Sequence, residues 1–177
     1  GTVTLEELSA RARSSAAPCL VMPQLGVTPD GEELLVDLEG LGLLAIGGSE
    51  PEGTAIVHAL AVGLSSCELA SSAQLIGVGV DPGAFLDHPH AHVAADVAEA
   101  LQTARTLAGS MSGLERSTFE LRARRTGGET WDPVVVLVAS GADRCGVDRC
   151  EVDELVALSR TPGIAVVIAG VLPEATW

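Results

Sequence analysis

The segments "PVVVLVAS" (133–140) and "GIAVVIAG" (163–170) most constrain what this chain can become. Neither alternates apolar with polar residues, as a strand with one wet face does. A short continuous apolar run rich in Val and Ile belongs in a sheet covered on both faces. "QLIGVGV" (74–80) is a third run of this type, and "GLLAI" (42–46) a fourth. Helical patterns separate them. After "GLLAI", the residues Ile56, Val57, Leu60, Ala61 and Leu64 form one expected apolar helix face. A long helix is expected from Ala94 or Ala95, with Val97, Leu101, Ala104, Ala108 and Met111 as its stripe and a break at Gly113 on the way to Arg125. "DRCEVDELVALSR" gives another helix, with Asp148 as its cap. A short helix over 4–13 carries Thr4 and Glu7 at capping-box spacing. "PCLVM" and "ELLVDL" are expected strands around the turn "TPDGE". Strands alternating with helices imply an α/β fold with a mostly parallel sheet and helices on both faces.

The chain has 177 residues and 47% apolar residues, which suits one globular domain. No apolar run is long enough to span a bilayer. The start, "GTVTLEELSARARSS", lacks a basic-then-apolar secretory pattern, and the expected location is the cytoplasm, either free or as the cytoplasmic part of a membrane-anchored protein. All ten basic residues are arginines, and lysine, asparagine and tyrosine are absent. Codons for those three are AT-rich, so the bias points to a GC-rich genome. The net charge of -14 argues against direct nucleic-acid binding, which needs clustered cations. The one basic cluster, Arg116, Arg122, Arg124 and Arg125, reads as a solvated helix end. Four cysteines, Cys19, Cys67, Cys145 and Cys150, are scattered. Cys145 and Cys150 are the closest two, without the second tight pair that structural zinc requires.

The stretch "AIGGSEPEGTAI" (45–56) places a glycine loop between a strand and a helix, the context of a phosphate site. The order of segments around it resembles the motor domain of the FtsK/SpoIIIE translocases, in the FtsK/HerA group of P-loop ATPases. "LLVDLEGLGLLAIGG" is similar to the family's lead-in to the Walker A loop. "FLDHPHAHVAADVAEALQTARTLAGSM" looks like the segment that begins the family's long helix. "DPVVVLVASG" falls where the Walker B strand belongs, and "LSRTPGIAVVIAGVLP" resembles the later segment that ends in a polar sensor. The likeness covers residues 33–174 and implies a three-layer, RecA-like P-loop fold. It also implies a single domain over 1–177 excised from a longer polypeptide, so that added native sequence would protect the strand at 163–170.

Residue by residue, the resemblance implies a degenerate site. Walker A requires G-x4-G-K-[ST]. With Gly47, Gly48 and Ser49 opening the loop and Gly53 as its last glycine, Thr54 takes the lysine position and Ala55 the hydroxyl position. The phosphate cation and the Mg²⁺-holding side chain are then missing. Glu50 and Glu52 bring negative charge where phosphates would lie, about 1 kcal/mol per close like-charge pair even at water-like dielectric. Pro51 removes a backbone donor. Ala139 and Ser140 stand at the Walker B acids, and Val171 and Leu172 at the sensor. No cofactor and no catalytic residue is expected, so the chain reads as a pseudo-ATPase. Its expected partners are another protein, neighbouring domains of its own chain, or a second copy. Residual nucleotide binding through backbone amides is one alternative. A part in an actinobacterial transcriptional regulator, whose DNA contact lies in another domain, is the other.

Two further constellations stand apart from the resemblance. "DHPHAH" spaces His88, His90 and His92 at alternate positions, so an extended segment would aim three imidazoles to one side, towards Zn²⁺, Ni²⁺ or Cu²⁺. A surface loop without metal is the preferred reading. Ser49, His58 and Asp81 supply the residue types of a hydrolytic triad, but no G-x-S-x-G accompanies them, and His58 reads better as a packed or boundary histidine.

Overall fold

The computed structural model describes residues 21–86, 88–110, 132–139 and 149–170. The expected helix at 4–13, Cys19, Met111, the break at Gly113, the arginine cluster, Ser140, Cys145, Asp148, the sensor positions and most of "PCLVM" lie outside them.

Five parallel strands form the main sheet, in the order β3-β7-β6-β4-β5. They are β3 (Leu43–Ile46), β4 (Gln74–Val78), β5 (Ala91–Ala94), β6 (Val134–Val138) and β7 (Ile164–Ala169). The two most apolar strands occupy the middle, and every residue of β6 and β7 is buried. β7 lies between β3 and β6, so it is not the edge at which added sequence would first gain protection. Alternate residues then face two separate cores. Val134, Val136, Val138, Ile164, Val166 and Ile168 face one. Val135, Leu137, Ala139, Ala165, Val167 and Ala169 face the other.

Each core is closed by helices. On the first face lie α3 (Val97–Leu107) and α4 (Arg149–Leu158), the former through Val97, Leu101 and Ala104, as its spacing predicts. On the second lie α1 (Leu38–Leu41) and α2 (Glu50–Ser66). This is the three-layer α/β arrangement of a RecA-like fold. The start of α3 is fixed chemically: the Asp96 carboxylate accepts from Glu99 N–H at 2.8 Å, and the Glu99 carboxylate accepts from Ala95 N–H at 2.7 Å.

Three elements differ from expectation. The hairpin pairs β1 (Gln24–Val27) with β2 (Glu33–Leu35), so its first strand begins later than "PCLVM". Gly31, at φ +82°, donates to the Thr28 carbonyl in the tight turn between them. β5 is an edge strand whose short "AHVA", with His92 and Val93 exposed, gives no buried-strand signal. Ile56 does not belong to the apolar face of α2: Gly53, Val57, Leu60, Ala61 and Leu64 are buried, whereas Ile56 is 40% exposed.

Candidate functional site

In a parallel α/β sheet, ligands gather at the carboxyl ends of the strands. Here that rim brings together the loop after β3, the first turn of α2, and the ends of β4, β6 and β7. Gly47, Gly48 and Ser49 form the connection from β3 to α2. Gly48 has φ +125°, a conformation that a side chain strains, so this residue preserves the sharp turn.

The loop's acid turns inward on its own helix. The Glu52 carboxylate accepts from the Ser49 N–H at 3.2 Å and from the Ser49 hydroxyl at 2.8 Å. These donations hold its pKa below the ordinary glutamate range. Ser-x-x-Glu ahead of an apolar helix is the sequence signature of such a cap, and Ser49 and Glu52 carry it. Pro51 sits in the first turn of α2, where its missing N–H leaves no helix bond unmade.

Gly53 has a packing role in this structure. A Cβ there would lie 3.2 Å from Ala169 Cβ, so its lack of a side chain lets α2 approach the end of β7. Thr54, which the family resemblance sets against the Walker A lysine, points into the sheet and donates its hydroxyl to the Ala139 carbonyl at 2.6 Å. Ala139, which the resemblance sets against the first Walker B acid, is 1% exposed, and its N–H donates to the Val78 carbonyl at 2.9 Å. Ala55 is exposed on the outer side of α2. Ser140, the other expected Walker B position, lies outside the described residues.

His58 is half-buried one turn further along. The Asp81 N–H donates to its Nε2 at 3.0 Å, so Nδ1 carries the proton and donates to the Thr54 carbonyl at 2.9 Å. The imidazole thus clamps α2 to the turn after β4. The Asp81 carboxylate accepts from Gly83 N–H at 2.7 Å. Ser49 bonds Glu52, His58 bonds two backbone groups, and Asp81 caps its own turn. The three side chains do not bond one another and form no relay, and His58 is the boundary histidine that the sequence reading prefers.

The histidine segment is also divided. His88 Nδ1 accepts from His90 N–H at 3.3 Å, and Nε2 donates to the Ala70 carbonyl at 3.1 Å. His92, on β5, reaches Glu99 at 3.2 Å. The rings of His88 and His90 meet edge to face, with centroids 6.3 Å apart. The alternate spacing does not aim three imidazoles at one point, because His88 and His90 precede the strand and only His92 lies on it. Among the described residues no group of three or more His, Cys, Asp or Glu side chains converges as a metal site. Cys67 is half-buried after α2, and Cys150 is exposed on α4. None of the described helices is long and apolar enough to cross a membrane.

This architecture recurs in solved ATPase structures. The cytoplasmic domain of the type VII secretion ATPase EccC from Thermomonospora curvata matches at TM-score 0.54 and 19% identity, over 85% of this chain and 18% of that one. EccC (ATPases 2 and 3) of the same organism, in complex with a signal sequence peptide, matches at 0.52 and 20%, over 88% and 30%. The pCW3 conjugation coupling protein TcpA, in its monomer form with ATPγS, matches at 0.51 and 19%, over 88% and 49%. The chain has the fold of these P-loop ATPases, and it spans less than half the length of each. No protein-family model and no curated protein matches it.

Proposed function

We propose that this chain is an FtsK/SpoIIIE-like P-loop module that does not turn over ATP and acts as a structural, protein-interaction or regulatory part of a larger protein. One observation carries the reading. The side chain at the lysine position of the glycine loop is Thr54, and its hydroxyl is bound to the Ala139 carbonyl on the neighbouring strand end. A group so engaged joins the start of α2 to the end of β6 and offers no cation to a phosphate. The sequence contains no lysine to take its place. The Glu52 carboxylate accepts donors that begin α2, so the local demand for an anion at this helix start is met from within. An interaction role accords with the fold's appearance in an EccC structure that holds a signal sequence peptide.

Calorimetry and thermal melting with Mg·ATP test the proposal. The expected result is no saturable heat and no rise in melting temperature at millimolar nucleotide. A site of about 100 µM affinity would raise stability measurably at that concentration by mass action. Saturable binding of that strength, or phosphate release abolished in Gly53→Asp, would overturn it.

A further inference from the structure

We draw no further inference here: the strongest candidate, the exposed apolar face of α2 formed by Ile56, Ala59 and Val62, carries none, because nothing in the structure shows what covers it.

Discussion

The Thr54 hydroxyl lies 2.6 Å from the Ala139 carbonyl oxygen, a bond between residues 85 positions apart that joins the first turn of α2 to the end of β6. Ala139 is almost fully buried, so its carbonyl has little access to replacement water. Thr54→Val keeps the shape and removes the donor. It is expected to cost about 1–3 kcal/mol in denaturant unfolding, the usual penalty for stranding a buried acceptor. Thr54→Ser should recover most of the loss. Equal stability of the three proteins would show that the bond contributes nothing.

Acid should weaken the start of α2. The Ser49 hydroxyl and N–H lower the Glu52 pKa from its ordinary value of 4.5 in the folded state. The linked stabilisation is therefore fully present above that ordinary value and is lost as pH falls through the lowered one. Carboxyl-detected NMR titration should place the Glu52 midpoint below 4.5. Ser49→Ala should move it back up. A midpoint at or above the ordinary value would refute the hydrogen-bonded cap.

Gly77 tests the packing of the second core. A Cβ there would come within 2.6 Å of Phe85 Cζ and 2.7 Å of Phe85 Cε2. Gly77→Ala is expected to destabilise by about 1–3 kcal/mol through overpacking. Phe85→Leu removes the clashing ring at its own cost. Together the two should be less harmful than their sum by at least about 0.5 kcal/mol in a double-mutant cycle. Simple additivity would mean that the ring and the backbone at Gly77 do not compete for space.

The three histidines should not act together as a metal site. His88→Ala removes the donor to the Ala70 carbonyl and should cost about 1 kcal/mol. His92→Ala breaks only an exposed pair with Glu99 and should cost at most about 1 kcal/mol. Stoichiometric Zn²⁺ should leave the melting temperature unchanged. A purified protein that carries metal, and loses several kcal/mol with it in the triple variant, would show convergence of the rings in solution.

What the sequence discloses depends on how strongly each segment is buried. β6 and β7 are legible because strands covered on both faces must be continuously apolar. β5 is not, because an edge strand with exposed His92 and Val93 lacks both that signal and clean alternation. Ile56 cannot be told from the buried stripe by periodicity, because the apolar residues of α2 extend well beyond its buried face. At the loop, the glycine spacing locates the turn. The partners of Thr54 and His58, the Ala139 carbonyl and the Asp81 N–H, lie on distant strand ends and leave no local mark. The assignment of Thr54 and Ala139 to lost catalytic positions came from the resemblance in segment order, which periodicity could not have supplied.

The place of β7 in the sheet bears on how the chain reaches this structure. Among the described residues β3 has one sheet partner, β7, which lies roughly 120 residues later in the chain. A ribosome therefore releases β3, the glycine loop and α2 long before the strand that secures them is made. Through most of synthesis Leu43–Ile46 carries an unclaimed apolar ladder, the kind of segment that chaperones hold and that aggregates when they do not. High contact order of this sort slows folding. Substitutions that weaken β7 should thus lower soluble yield in cells more than they lower the stability of protein already folded.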